Sequence, residues 1–204
     1  MSRYTKAKGR LVRRFKVNLF GQDKFDRLLE RRPNAPGMHG SARHGKPSEY
    51  KKQLVEKQKL RFMFGLTERQ LRNTYQKAVA MKGATGLEFL KLLERRLDNM
   101  IYRSGLAKTR SQARQMVSHG LFMMNGRRVT VPSIQVREKD VLEVREKSKS
   151  SPVFNEAKED KKLESARWIQ LDIKKLRAEV VALPEEDDLE RIVDSQLIVE
   201  FYSK

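Results

Sequence analysis

The dipeptide Asn125-Gly126 constrains the fold of this chain more than any other local feature. It lies between the runs "LFMM" and "RRVTV", and an Asn-Gly pair between such runs is a strong signal for a two-residue β-hairpin turn. We therefore predict two antiparallel strands within residues 121–131. The following segment "SIQVREKDVLEVRE" predicts another strand pair, with Val141, Leu142 and Val144 as core candidates.

Two helices are predicted immediately before this hairpin. The segment "GLEFLKLLERRLDNMIYR", residues 86–103, has apolar side chains at spacings of three and four, which predicts one amphipathic helix. A second helix begins after Thr109, which forms a Thr-x-x-Gln capping box with Gln112, and ends at Gly120. The later segment "ARWIQLDIKKLRAEVVALP" predicts strands that return to this small α+β module.

The preceding part of the chain predicts a helical hairpin. One helix begins near Ser48 and ends at Gly65, and the next opens on a capping box of Thr67 and Gln70. We expect its buried stripe to contain Leu71, Tyr75, Ala78 and Val79.

The two ends of the chain are less regular. Residues 1–20 show poor apolar periodicity and no acid, so we predict an extended basic arm that orders on its partner. The closing segment "QLIVEFYSK" has the propensity of a strand, although a short helix is also compatible with it.

Positive charge is concentrated in the first two-thirds of the chain. The 204 residues carry a formal net charge of +19, yet residues 139–204 hold 13 Lys and Arg against 16 Asp and Glu. Residues 1–138 hold 32 basic and 10 acidic side chains. Such a charge attracts polyanions, so nucleic acid is the leading partner class and an anionic membrane surface is the other candidate.

Composition argues against other classes of protein. No apolar run reaches the roughly eighteen residues of a transmembrane helix, and the first residues lack the apolar core of a secretory signal. The chain has no Cys, which removes disulfides and thiolate metal sites and fits a reducing compartment. We expect a soluble intracellular protein.

Basic side chains without acidic neighbours are the candidate binding residues. From Asn99 to Arg137 there are seven Lys or Arg and no Asp or Glu. Arg matches phosphate oxygens with a planar fork and Lys with a point charge, so we predict nucleic-acid contacts; a solvated face is the alternative reading. The candidate binding residues are Arg3, Arg10, Arg13, Arg14, Lys51, Lys52, Lys59, Arg61, Arg69, Arg72, Arg103, Lys108, Arg110, Arg114, His119, Arg127 and Arg128.

Several of these motifs together resemble one known family. "RLDNMIYRSGLAKTRSQARQMVSHG" followed by "NGRRVTVPS" is similar to the RNA-binding module of bacterial small-subunit ribosomal protein S4. "APGMHG", "SEYKKQLVEKQKLRFMFGLTERQLRN" and the ending "QLIVEFYSK" also resemble motifs of that family. The resemblance therefore covers essentially the whole chain.

The resemblance implies a fold. We expect an α+β protein with an N-terminal basic arm and a helical domain, into which a small RNA-binding module of two helices on a short antiparallel sheet is inserted. The expected divisions are an arm and loop at 1–46, a helical domain at 47–85 completed by 186–204, and the module with its strand extension at 86–185. Because the family's C-terminal segment packs on the N-terminal helices, the resemblance favours a short helix near residues 190–201.

The resemblance also implies a function. It suggests a primary binder of small-subunit ribosomal RNA that nucleates assembly of the subunit body and, with ribosomal protein S5, influences translational accuracy. The expected partners are this RNA, S5 and other small-subunit proteins, and messenger RNA at its entry channel, with no membrane. The expected location is the ribosome of the cytoplasm, with an organellar ribosome left open. Some members bind zinc through a cysteine cluster; His39 and His44 alone cannot replace it, so we predict no metal.

Two alternative functions use the same module. Arg96-Leu97-Asp98 superficially matches the motif of pseudouridine synthases, but the predicted helix places Asp98 at its middle and no separate catalytic domain remains. A ribosome-rescue or heat-shock factor would lack the N-terminal helical unit. We find no nucleophile–base pair, phosphate-cradling glycine loop or metal-ligand spacing, and we predict no enzymatic activity, catalytic residue or cofactor.

Overall fold

A computed structural model describes residues 4–42, 45–154 and 165–204 of the chain. These residues divide into two units, one of Met1–Gly86 with Glu190–Lys204 and one of Leu87–Leu189. In the described ranges, no helix is long and apolar enough to cross a membrane. The α-helices are α1 (Lys8–Phe15), α2 (Asp23–Arg31), α3 (Glu49–Met63), α4 (Glu68–Val79), α5 (Thr85–Glu94), α6 (Leu97–Arg103), α7 (Arg110–Ser118) and α8 (Ser195–Tyr202), and the strands are β1 (Phe122–Met124), β2 (Arg127–Val129), β3 (Val141–Val144), β4 (Ile169–Asp172) and β5 (Arg177–Val180).

The prediction of an extended N-terminal arm is wrong for residues 8–15, which form α1. This helix buries Leu11, Val12 and Phe15 on one face, and its eight residues are too few to give a clear periodicity in a window of twenty. It packs closely on α2, since a Cβ on Gly9 would lie 2.7 Å from Cδ2 of Leu28.

Helices α3 and α4 begin where the sequence predicts, and each has a side-chain cap. Ser48 accepts a hydrogen bond from the backbone N–H of Lys51 at 3.3 Å. The capping box of Thr67 and Gln70 is confirmed, because each side chain accepts from the other residue's backbone N–H, at 3.3 and 3.2 Å. One predicted core residue of α4 is misplaced: Val79 is 55% exposed, because it is the last residue of the helix and lies at the edge of the buried stripe.

The C-terminal segment is a helix, as the resemblance implies, and the strand favoured by propensity is wrong. Asp194 caps α8 by accepting from the N–H of Gln196 at 2.9 Å. Ile198 is fully buried and Tyr202, one turn later, stacks on Tyr75 with ring centroids 4.7 Å apart. The helical spacing of four places both side chains on one face, and this packing outweighs local propensity.

The second unit contains a five-stranded antiparallel sheet in the order β2-β1-β3-β5-β4. The hairpin prediction is confirmed: Asn125 and Gly126 have φ values of 49° and 77°, and Met123 pairs with Arg128. The strand pair predicted in residues 133–146 is only half correct, because β3 is its one regular strand and Gln135 makes an isolated bridge to Arg96.

The prediction of a single helix over residues 86–103 is wrong, because the helix is interrupted between α5 and α6. The backbone N–H groups of Leu97 and Asp98 donate to the carbonyl oxygens of Ile134 and Pro132, at 2.8 and 3.2 Å. These groups would otherwise continue the helical ladder of α5. The break matters for the site because it places the end of α5 beside the first turn of α6.

The core of the second unit lies between the helices and the sheet. Phe122 and Phe154 are fully buried and meet edge to face at 6.0 Å, and Trp168 is 2% exposed. Leu97 and Ile101 from α6 and Val117 from α7 join the same cluster. This packing fixes α6 and α7 on the sheet.

Candidate nucleic-acid interface

The predicted binding residues fall into an exposed set and a partly buried set within the described ranges. Arg3 lies outside the described residues, as does His44, one of the two histidines considered for zinc. Residues with exposed side chains are Arg10, Arg14, Lys51, Lys52, Arg69 and Arg72 in the first unit and Lys108, His119, Arg127 and Arg128 in the second. The partly buried residues are Arg13, Lys59, Arg61, Arg103, Arg110 and Arg114.

The partly buried basic residues of the first unit hold loops and turns in place. Arg13 donates from Nε and Nη2 to the carbonyl oxygens of Asn34 and Ala35, at 3.0 and 3.3 Å. Arg61 donates to the carbonyl oxygen of Leu66 at 3.3 Å. These two side chains therefore have a structural task whether or not they contact RNA.

Lys8 and Lys24 form a basic pair that is not among the seventeen predicted binding residues. The Nζ atom of Lys8 lies 5.0 Å from the ring centroid of Phe20, and that of Lys24 lies 5.1 Å from Phe25. The two rings are in contact, with centroids 5.4 Å apart. Burial, and then the charge of Lys24, lower the pKa of Lys8. A phosphate beside this pair would offset the repulsion between the two ammonium groups. Local sequence patterns do not reveal the pair, because Lys8 lies in α1 and Lys24 in α2.

The N-terminus of α7 presents positive charge in the second unit. Thr109 caps the helix by accepting from the N–H of Gln112 at 3.1 Å. The reciprocal bond differs from the predicted capping box, because the Gln112 Oε1 accepts from the N–H of Lys108 rather than of Thr109, at 2.9 Å. The first turn contains no acidic residue, so the positive end of the helix dipole adds to the exposed Lys108 side chain.

The β1–β2 hairpin carries Arg128 to the other end of α7. Gly120 has φ 69°, and a Cβ at this position would lie 2.5 Å from Nε of Arg128. The guanidinium of Arg128 therefore rests directly on the glycine backbone. Arg145 donates to the carbonyl oxygen of Gly120 at 3.2 Å. The exposed His119 directly precedes Gly120 in the chain. A larger residue at position 120 would displace Arg128.

Glu94 joins the end of α5 to two of the predicted arginines. It accepts from Nε and Nη2 of Arg103, both at 2.9 Å. Its Oε2 also accepts from Nδ2 of Asn99 at 2.6 Å, and Oδ1 of Asn99 accepts from Nε of Arg110 at 2.7 Å. Arg110 is further placed by Tyr102, whose ring centroid lies 4.5 Å from Cζ.

Asp98, in the first turn of α6, pairs with two further arginines. Arg96 donates from Nε and Nη2 to its two oxygens at 3.1 and 3.0 Å. Arg114 donates from Nε and Nη2 to Oδ2 at 2.9 and 2.6 Å. Glu94 and Asp98 are 1% and 4% exposed. The pairing of these two carboxylates with the arginines is not predicted from the sequence, because the acid-free stretch begins at Asn99, just after both of them.

The chemistry of this surface is that of anion binding. Guanidinium and ammonium groups bind phosphate oxygens through charge-assisted hydrogen bonds, and the described residues contain no group of three or more His, Cys, Asp or Glu placed to hold a metal ion. The RNA contacts of the seventeen candidate residues stay predictions.

Known families match most of this sequence. Residues 3–94 match the family described as "Ribosomal protein S4/S9 N-terminal domain", and residues 95–142 match the "S4 domain". Full-length relatives named small ribosomal subunit protein uS4 are 47% identical in Borrelia turicatae, over 100% of this chain and 99% of the relative, and 48% identical in Solidesulfovibrio magneticus, over 100% of both chains. The relative of the same name in Borreliella burgdorferi is 45% identical over 100% of this chain and 99% of its own.

Proposed function

The chain belongs to the ribosomal protein S4 family, and from this premise we propose that it is a structural protein of the small ribosomal subunit that binds small-subunit ribosomal RNA directly. The observation that carries the proposal is the full-length similarity to relatives named small ribosomal subunit protein uS4, at 45% to 48% identity. The concentration of positive charge in residues 1–138 supports the same conclusion.

Binding is a matter of phosphate neutralisation and shape. Lys108 before the start of α7, Arg128 beside Gly120 after its end, and Arg127 in β2 all have exposed side chains, which supports their contact with backbone phosphates. Each contact releases condensed counterions, so affinity depends steeply on salt. Folded RNA is read by its shape and its backbone rather than by a base code, which suits a surface of fixed cations.

A charge reversal in the hairpin tests this proposal. The double variant Arg127→Glu and Arg128→Glu is compared with Lys174→Glu and Lys175→Glu, which reverses two exposed charges at the turn before β5 in the same unit. Affinity for the five-prime domain of small-subunit ribosomal RNA is measured from about 50 to 200 mM salt, where six to ten phosphate contacts give a fall of roughly three to five decades.

The two pairs should behave differently. We expect the arginine variant to bind more weakly and to lose roughly one unit of salt slope per residue, while the lysine variant keeps most of the wild-type slope. Equal effects of the two variants would mean that binding depends on net charge alone, and the proposal would fail.

Finer features of the function are proposed from the family resemblance. We propose that the chain nucleates assembly of the subunit body, contacts ribosomal protein S5 and lies beside the messenger RNA entry channel of a cytoplasmic ribosome. Cross-linking in reconstituted small subunits tests these placements: cross-links to S5 and to bound messenger RNA are expected, and their absence from assembled subunits would contradict them.

An enzymatic alternative receives little support from the geometry of Asp98. A catalytic carboxylate must reach the reacting base, whereas Asp98 is 4% exposed and paired with Arg96 and Arg114. This burial argues against Asp98 as a catalytic carboxylate. The ribosomal family to which the chain belongs is structural.

A further inference from the structure

We propose that the buried carboxylates of Glu94 and Asp98 are positioning groups for RNA binding. They hold three guanidinium groups in the orientation that meets backbone phosphates, those of Arg103, Arg110 and Arg114. The inference rests on the proposed function, because it describes how part of the same surface is organised before RNA arrives. Neither carboxylate touches RNA itself, since their exposures are 1% and 4%.

The hydrogen bonds fix the plane of each guanidinium. Arg103 and Arg114 each use Nε and Nη2 on a carboxylate, and two N–H bonds from one planar fork leave little rotational freedom. Arg110 is fixed by Nε on Asn99 and by contact with the Tyr102 ring. The side chains of Arg103, Arg110 and Arg114 nevertheless keep 25%, 12% and 14% exposure, so none of the three is fully shielded from solvent.

The helix break creates this arrangement. In one continuous helix, Glu94 and Asp98 would simply be neighbours one turn apart on a single face. Because α5 ends at Glu94 and α6 begins at Leu97, the side chain of Glu94 instead meets Asn99 and Arg103 of the next helix. Two carboxylates thereby organise four arginines, including Arg96, and the cluster keeps a net positive charge.

Pre-organised cations bind an anion with less loss of conformational freedom than mobile ones. An arginine that is free to rotate must be ordered when RNA binds, and long charged side chains lose the most rotamer entropy. Because the carboxylates order the arginines when the protein folds, this loss of entropy does not fall on RNA binding. If the carboxylates have this role, removing one of them weakens RNA binding, whereas the change in net charge alone would strengthen it.

The sign of the effect separates positioning from long-range electrostatics. Glu94→Gln and Asp98→Asn each remove one negative charge from the middle of a basic surface. Electrostatic attraction alone would then make any polyanion bind more tightly. If the carboxylates position the arginines, the same substitutions weaken binding to the RNA whose shape the surface fits.

The test measures affinity for two RNAs at about 150 mM salt. The variants Glu94→Gln and Asp98→Asn are compared with Glu138→Gln, which removes the same charge from an exposed position of the same unit. The probes are the five-prime domain of small-subunit ribosomal RNA and transfer RNA. Circular dichroism and thermal unfolding establish that each variant is folded at the assay temperature.

We expect the two cluster variants to bind the ribosomal fragment about tenfold more weakly, which is roughly the loss of one charge-assisted hydrogen bond. Their affinity for transfer RNA should be unchanged or higher, and the Glu138→Gln variant should bind both RNAs at least as tightly as the wild type. Unchanged or tighter fragment binding by the cluster variants overturns the inference, as does an equal loss for both RNAs.

A charge-conserving variant covers the case in which the amide variants do not fold. Glu94→Asp keeps the charge and withdraws the carboxylate by one methylene, so it must also weaken binding to the fragment; wild-type affinity would overturn the inference. Failure of the proposed function is distinguishable, because it would appear in the wild-type protein as equal affinity for the two RNAs.

Discussion

Arg114 donates two hydrogen bonds to one carboxylate oxygen of Asp98, from Nη2 at 2.6 Å and from Nε at 2.9 Å. Arg96 approaches the same carboxylate with a fork of its own, at 3.1 and 3.0 Å. Asp98 is thus the shared partner of two arginines. Removal of Asp98 would leave both arginines without this carboxylate, whereas removal of Arg114 would leave Asp98 paired with Arg96.

This asymmetry predicts different stabilities for two alanine variants. Asp98→Ala leaves the buried Arg96 and the partly buried Arg114 without this carboxylate and should lower the free energy of unfolding by about 3–5 kcal/mol. Arg114→Ala should cost less, about 1.5–3 kcal/mol, because Arg96 still pairs with Asp98. Urea unfolding measures both values, and an Arg114→Ala loss equal to or larger than that of Asp98→Ala would contradict the geometry.

Gly120 and Gly126 offer a matched pair for the role of Arg128. Both have positive φ, at 69° and 77°, but only the Cβ of an alanine at position 120 would strike the Arg128 guanidinium, since no atom lies within 4 Å at position 126. Each Gly→Ala substitution should cost roughly 1–2 kcal/mol of stability through backbone strain. Only Gly120→Ala should also weaken binding to the ribosomal fragment, as measured by filter binding. Equal affinities of the two variants would show that the placement of Arg128 is unimportant.

Glu68 makes the stability of the helical unit depend on pH. Burial alone would raise the pKa of Glu68, but hydrogen bonds from Lys57 and Tyr202 and the charges of Lys57 and Arg61 outweigh it and lower that pKa below its ordinary value of 4.5. The stabilisation from this group is therefore present above pH 4.5 and is lost as pH falls through the lower folded-state pKa.

The variant Tyr202→Phe should reduce this dependence, because it removes the 2.9 Å hydrogen bond to Glu68 and keeps the aromatic ring. Tyr75→Phe is the control, since the Tyr75 hydroxyl donates to the carbonyl oxygen of Val199 instead. The free energy of unfolding, measured in urea below pH 4.5, should fall less steeply with pH in Tyr202→Phe than in Tyr75→Phe. Identical slopes would rule out the contribution of Tyr202.

The capping box of α4 should be visible in unfolding experiments. Thr67→Ala removes the acceptor for the N–H of Gln70 and should lower stability by about 1 kcal/mol. Thr74→Ala, within the same helix, exchanges a back-bond to the carbonyl oxygen of Gln70 for the higher helix propensity of Ala and should change stability by less than about 0.5 kcal/mol. A loss for Thr74→Ala as large as that for Thr67→Ala would contradict this role of the cap.

Features encoded within a few residues could be predicted from the sequence. The Asn125-Gly126 turn and the Thr67–Gln70 box each depend on local backbone geometry and on hydrogen bonds that span three residues. The strands Ile169–Asp172 and Arg177–Val180 also follow from a local pattern, in which apolar residues alternate with polar ones. In each case tertiary packing agrees with local preference.

Features decided by distant residues could not be predicted from local patterns. The break before Leu97 depends on carbonyl oxygens more than thirty residues later in the chain, at Pro132 and Ile134. The helix at Ser195–Tyr202 overrides strand propensity because Tyr202 reaches Glu68 and Tyr75. The partners of Arg103 and Arg114 were hidden for the same reason, since Glu94 and Asp98 join the basic surface only after the helix breaks.

The most direct test of the central claim is a competition measurement on the wild-type protein. Labelled five-prime domain of small-subunit ribosomal RNA is bound to the protein at about 150 mM salt, and unlabelled fragment or transfer RNA is added as competitor. If the chain is a specific binder of small-subunit ribosomal RNA, the fragment will displace the label at a much lower concentration than transfer RNA. Displacement by both RNAs at the same concentration would reduce the protein to a nonspecific polycation and contradict the account.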